Sequence, residues 1–308
     1  MQGALPEPPS RGAEARLGDR AIELLPPGSP AYAATVDVEE WYHVNFRSAP
    51  ALDEARLPRR VEQGLDRVLQ TLADAGSRGT FFVLGCVARE NPGVVRRIVE
   101  AGHEVGCHSL EHTLLYEQGP AAFRAAVGEA RSLLCDLSGQ PVLGFRAPSW
   151  SVTLRSLWAF DALAEAGFRY DSSVFPAQNH MFGIAGAPRR PYRVATSQGP
   201  IVEVPPSAAA LGPLRLGVGG GFYLRALPLF VHRAAMASYG RQGSPFLLYM
   251  HPRELDPEAR SLRLPLSLPD RLIQDWAVSR APRRIAALLG AQRWEPLRDI
   301  LDRRGYLQ

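Results

Sequence analysis

Short apolar runs alternate along the chain with stretches of helical spacing. The first run, Tyr32 to Val38, predicts a core strand that empties into the acidic cluster Asp37, Glu39 and Glu40. Residues 58–76 carry Val61, Leu65, Val68, Leu69 and Leu72 at helical intervals and stop at Gly76. GTFFVLG at 79–85 predicts a second buried strand. A helix is expected at about 92–101, with Pro92 in its first turn and Val94, Val95, Ile98 and Val99 on its core side. GHEVGC predicts a third strand. A helix at about 120–138, the strand VLGFRAP, a helix at about 153–166 and the strand GFRYDSS continue the pattern. Repeated strand–helix alternation predicts a parallel sheet or a (β/α) barrel.

The texture changes after Pro176. RVATSQGPIVEVPPS alternates like a hairpin, LGVGGGFYL reads as a glycine-rich loop, and FLLYMHP at 246–252 predicts one more strand ending at His251. Residues 267–301 hold helical stretches with basic polar faces. Residues 1–30, rich in Pro, Gly, Ala and charge, read as a disordered or loosely docked lead. The expectation is therefore one catalytic domain over 31–308, with a helical extension from about 258.

Composition narrows the classes. The 308 residues are 46% hydrophobic, enough for a sizeable core. Net charge is +4, every basic residue but histidine is arginine, and the charges are interspersed, so no nucleic-acid face is expected. Three cysteines, Cys86, Cys107 and Cys135, suit free thiols better than a disulfide scaffold. No run approaches the roughly 18 apolar residues of a membrane span. The first residues contain no apolar segment of the secretory type, so a cytoplasmic location is expected.

Chemistry concentrates at predicted strand ends. His108 and His112 stand four apart; on a helix or helical turn that spacing puts both imidazoles on one face. Asp37 and Glu39 alternate, which puts both acids on one side of a strand. Arg146, Asp171 and His251 close three later strands. Two histidines and a carboxylate with open positions form a set used by hydrolytic zinc and by non-haem iron. Taken singly, each residue has a structural explanation; their recurrence on successive strand ends favours a site.

Five segments carry a family resemblance: TVDVEEW (35–41), HSLEH (108–112), FRAPSWS (145–151), YDSSVFP (170–176) and LYMHP (248–252). In that order they resemble the motifs of the polysaccharide deacetylases of NodB-homology type, carbohydrate esterase family 4. The VDVE form of the first motif is similar to the subgroup found with exopolysaccharide clusters. The resemblance implies a distorted (β/α) barrel of fewer than eight strands and metal-dependent N-deacetylation of a sugar. It implies Asp37 as general base, Glu39, His108 and His112 as ligands of a divalent metal, Zn²⁺ by preference, and Arg146 as the residue holding the base. It further implies Asp171 as the acid tuning His251, and His251 as general acid. Val38 separates two acids that are adjacent in the common family motif, so Glu40 competes with Glu39 as ligand; Glu39 is favoured because it shares the strand face of Asp37.

An N-acetylated carbohydrate is the expected partner. Trp41, Tyr42, Trp150, Phe222 and Tyr223 are candidates to stack on sugar rings, with core packing as their other role. A backbone amide near Ser172 or Ser173 is the candidate oxyanion donor. His43, His103, His180 and His232 match no ligand pattern and are assigned to structure. The alternative activity is hydrolysis of a small cyclic amide or ureide, which calls for a small closed pocket. Oligomeric state is not legible.

Overall fold

The apolar runs become strands close to where the pattern places them. The computed structural model describes residues 15–178, 181–211 and 214–308. Its strands are β1 (Ala15–Leu17), β2 (Arg20–Leu24), β3 (Ala31–Val38), β4 (Thr80–Val83), β5 (Glu104–Cys107) and β6 (Gly144–Phe145). They continue with β7 (Tyr170–Asp171), β8 (Tyr192–Val194), β9 (Ile201–Glu203), β10 (Ala208–Leu211), β11 (Leu214–Gly217) and β12 (Pro245–Met250). Among the described residues, β12, β3, β4, β5, β6, β7 and β9 form a parallel run of seven. β8, β2 and β1 extend it antiparallel beyond β9. The expected hairpin is thus β8–β9, and its second strand completes the parallel run.

Strand parity builds the interior. The odd-numbered residues of β3 and β12 point to one face and the even-numbered ones to the other, as period 2 requires. Ala31, Ala33, Phe82, Tyr170, Val202 and Leu247, from strands across the whole run, share one buried cluster. Strands at opposite ends of the run therefore face the same core. The sheet curls into a barrel-like shape, but no hydrogen-bonded ladder joins β12 to β9. The even residues Ala34, Val36 and Val38 join a second, larger core with helices Val61–Asp74, Pro92–Glu100 and Pro120–Ser138.

Three expectations need correction. The N-terminal lead is ordered into strands from Ala15, and Leu17 and Leu25 are buried. Residues 1–14 and His180 lie outside the described residues. The C-terminal segment is no appendage: helix Leu297–Arg303 inserts Leu297, Ile300 and Leu301 into the inner cluster and fills the barrel's base. The glycine-rich stretch is part strand β11 and part helix Gly221–Ala226. There Gly219 (φ +87°) and Gly221 (φ +51°) turn the chain, and a Cβ on Gly220 would lie 2.2 Å from Tyr249. The three cysteines are free, Cys107 fully buried. No helix among the described residues is long and apolar enough to cross a membrane.

Candidate active site

The inward parity of β3 and β12 brings Asp37 and His251 to the C-terminal mouth of the curled sheet. In the β3–β12 register Met250 pairs with Val36, so His251 comes up beside Asp37, its Nε2 4.0 Å from Oδ2. Beyond Asp37 the same face presents Glu39. Glu39 Oε2 is buried, 2.9 Å from Nε2 of His112 and 3.4 Å from Nε2 of His108, yet it accepts no hydrogen bond. The donor atoms of Glu39, His108 and His112 all lie within 4.8 Å of one another.

This trio fits a metal. Ligand atoms about 2.1 Å from a shared Zn²⁺ lie roughly 3.0–3.4 Å apart, close to these separations. His108 Nδ1 lies 2.8 Å from the Arg146 carbonyl oxygen. Donation from Nδ1–H there leaves Nε2 with its lone pair facing Glu39. The Asn45 amide lies 3.3 Å from His112 Nδ1 and is itself held by Ser149 Oγ at 3.1 Å. Burial works to raise the Glu39 carboxyl, but His112 and His108, and farther off His251, outweigh it and hold it well below the ordinary range. Glu40 points the other way. Its carboxylate accepts from the backbone N–H of Arg60 and Val61 (2.9–3.1 Å), at the N-terminus of helix Val61–Asp74.

Arg146 sits beneath, 1% exposed. It donates to Asp37 Oδ1 (2.8 Å), Thr35 Oγ1 (2.9 Å) and Ser172 Oγ (3.0 Å), and its guanidinium lies 4.3 Å from the centre of the Phe82 ring. This is the position expected for a residue holding Asp37. His251 Nδ1 faces Glu254 Oε2 at 3.5 Å, and Glu254 Oε2 accepts from the His251 backbone N–H at 3.2 Å. Burial disfavours the imidazolium, yet Glu254, Glu39 and Asp37 outweigh it and push His251 up to about 9.

Several expected roles move. The histidine pair is not on a helix; residues 108–114 form a loop, bent at Ser109 (φ +77°). Asp171 does not reach His251. Tyr170 points inward, so its neighbour Asp171 points outward, where it pairs in register with Glu203. Burial pushes both carboxyls up, and the neighbouring Asp171 pushes Glu203 further. The acid on His251 is Glu254. Ser172 is fully buried; its hydroxyl accepts from Arg146 and donates to Val204 O, and its amide bonds Phe145 O, so it supports Arg146 from outside the groove lining. Ser173 Oγ accepts from the Ala147 amide and donates to Asp171. Tyr42 packs with Trp41, Ala259 and Leu264 in a small core.

A groove of about 580 Å³ opens from this mouth. Trp41, Trp150, Phe222 and Tyr223 line it, as do His43 and Asn45. The His43 ring stacks on His112 (centroids 5.9 Å, planes 10° apart), and burial, then His112, pushes it down to about 4. Sequence reasoning missed Glu254 and Asn45. Glu254 had a signal: His-Pro-Arg-Glu places proline first and glutamate third in a helix behind the strand, a capping-box spacing.

Fold and site together define a barrel-like α/β protein with a carboxylate–histidine cluster at its strand ends whose donor atoms could hold a metal ion. Residues 53–170 match the family model described as polysaccharide deacetylase. Residues 172–302 match a domain of unknown function (DUF3473). Over residues 53–170 the chain is thus homologous to the polysaccharide deacetylases of NodB or carbohydrate esterase 4 type. Asp37 and Glu39 precede the deacetylase match, and His251 and Glu254 fall within the second one.

Peptidoglycan-N-acetylglucosamine deacetylase PgdA of Listeria monocytogenes is 35% identical over 124 residues, 37% of this chain and 27% of that protein. Chitooligosaccharide deacetylase of Sinorhizobium fredii is 34% identical over 97 residues, 31% of this chain and 42% of that protein. The alignments thus span less than half of either relative. Among solved structures, a Mycobacterium smegmatis protein assigned as a polysaccharide deacetylase superposes with TM-score 0.59 at 22% identity, covering 91% of this chain and 95% of that one. The allantoinase PuuE superposes with TM-score 0.57 at 17% identity, covering 89% of each. At these identities the two structures speak for the fold alone.

Proposed function

We propose that this chain is a metal-dependent hydrolase that removes the N-acetyl group from an N-acetylated sugar and releases acetate. The observation that carries the reading is the convergence of Glu39, His108 and His112 beside Asp37 and His251, at the head of an aromatic-lined groove. A divalent cation held by the trio, Zn²⁺ by its donor chemistry, would polarise the acetamide carbonyl and lower the pKa of the attacking water. Asp37, anchored through Oδ1 by Arg146, keeps Oδ2 for that water's proton. The water oxygen bonds to the acetyl carbon. His251 donates its proton to the amide nitrogen as the C–N bond breaks, since an unprotonated amine leaves poorly. Glu254 orients the His251 ring from behind. Acetate and a free amino sugar result. Groove size and aromatic lining favour a sugar over the cyclic ureide alternative, which called for a small closed pocket.

The test joins metal analysis of the purified chain with acetate release from N-acetylglucosamine oligomers and peptidoglycan fragments. Stoichiometric metal and acetate release are expected, with Asp37→Asn keeping metal and losing turnover. Metal-loaded protein that frees no acetate from any N-acetyl sugar would overturn the reading.

A further inference from the structure

Helix Leu268–Asp275 is amphipathic with its faces reversed. At about 100° per residue, Leu268, Pro269, Leu272, Ile273 and Trp276 fall within an arc of about 140°. That apolar arc faces solvent: Leu268 is 60% exposed, Leu272 47%, Ile273 44% and Trp276 51%. The helix buries none of its residues. Its polar side holds it down. Ser48 donates to Asp270 (2.6 Å), and Arg253 donates to Asp275 (2.6 Å). Arg225, buried, donates to the carbonyls of Ile273, Gln274 and Trp276 (2.8–3.1 Å). A chain that needed this helix only for packing would turn it over, because each exposed apolar side chain forgoes burial.

We propose that this face docks the protein on an anionic lipid bilayer, with the catalytic groove's mouth at headgroup level. Charge argues for that occupant. Leu268, Leu272 and Trp276 share a shallow hollow with Arg263, Arg271 and Asp275; Asp275 is paired with Arg263 (3.3 Å) and Arg253 (2.6 Å), and the Arg271 side chain, with no partner among the described residues, supplies the free positive charge. Exposed leucines and a tryptophan rimmed by arginine form the pattern of helices that lie in a membrane interface. Pro269, Asp270, Ile273 and Gln274, on the adjoining side of the helix, line the catalytic groove. Docking would therefore set that groove beside the lipid surface. The surface stands on its own observations, whether or not the deacetylase reading holds.

The experiment is flotation of the full chain with vesicles of phosphatidylglycerol and phosphatidylcholine, and with phosphatidylcholine alone. The chain should float with the anionic vesicles. Leu272→Ser/Trp276→Ser should lower partitioning at least ~10-fold while leaving the unfolding midpoint and turnover of soluble oligomers unchanged. Arg271→Glu should weaken binding to the anionic vesicles and not to the neutral ones. Three results would overturn the proposal: no flotation of the parent chain, flotation unaffected by the Leu272/Trp276 pair, or a dimer that the pair dissolves without any vesicle binding. The last would make the face a contact between copies.

Discussion

Replacing Arg146 by methionine tests the site's electrostatic keystone. Methionine keeps much of the stem's volume over Phe82 but removes the cation from Asp37, which is only 5% exposed. The hydroxyl partners are not stranded: Thr35 still donates to Leu248 O at 3.0 Å, and Ser172 to Val204 O at 2.9 Å. The Ser172 carbonyl loses the Arg146 Nε donor (3.3 Å), so the cost is that of one uncompensated carboxylate and one long hydrogen bond. Breaking a buried pair from one side costs about 3–5 kcal/mol. His251, 4.0 Å from the other oxygen, remains as a neighbouring cation and brings the expectation toward the lower end, about 3 kcal/mol. At about 2–4 °C per kcal/mol, the midpoint should fall by about 6–12 °C. Asp37→Asn made in the same chain removes the charge, so the double variant should regain about 2 kcal/mol over the single one. The assay is urea unfolding followed by circular dichroism, in chelator, for the four members of the cycle. A loss below about 1 kcal/mol in the single variant, or additivity across the cycle, would refute the argument.

Three further outcomes are expected. His108→Ala and Glu39→Ala should lose bound metal; Glu40→Ala should keep it and lose about 0.5–2 kcal/mol through the uncapped helix, as metal-to-protein ratios and unfolding curves will show. The buried Asp171–Glu203 pair binds more proton folded than unfolded, so its contribution is full in acid and drains away as pH climbs above about 4. Glu203→Gln should therefore gain stability relative to the parent between about pH 5 and pH 8, and parallel stability–pH curves would contradict this. Gly64→Ala would set a Cβ 2.6 Å from both Cβ and the carbonyl oxygen of Pro252, which follows His251. It should cost about 1–3 kcal/mol and lower turnover, and unchanged values in both measurements would count against it.

How much of this was readable depended on whether local pattern or distant contact decides each element. The helix Pro120–Ser138 was expected at its observed bounds, since Pro120 opens it and Gly139, at φ +66°, closes it. The strands at 79–85 and 246–252 were equally plain, because apolar runs between breakers leave little choice. Ala15–Leu24 was not: ARLGDRAIEL is short and charged, and becomes strand by pairing with β8, some 170 residues on. The spacing of His108 and His112 was correct for convergence and wrong for the reason, since a loop bent at Ser109 brings them together. Trp41 and Tyr42 share one small core, and only tertiary packing brings Trp41 to the groove wall as well.

The acids at the end of β3 show what parity decides. Asp37 and Glu39 differ from Glu40 chiefly in which side of the strand they leave. Odd positions enter the curled sheet, where Arg146 meets the first acid and two imidazoles the second. The even position leaves toward the outer layer, where the N-terminus of helix Val61–Asp74 meets its carboxylate. The intervening Val38 belongs to that outer core, so it acts as a spacer of one pleat. Placing the second acid at position 38 would aim it at buried aliphatic side chains and away from the histidines. The extra residue relative to an adjacent pair of acids thus keeps Asp37 and Glu39 on one face, and the longer glutamate spans the added rise to His108 and His112.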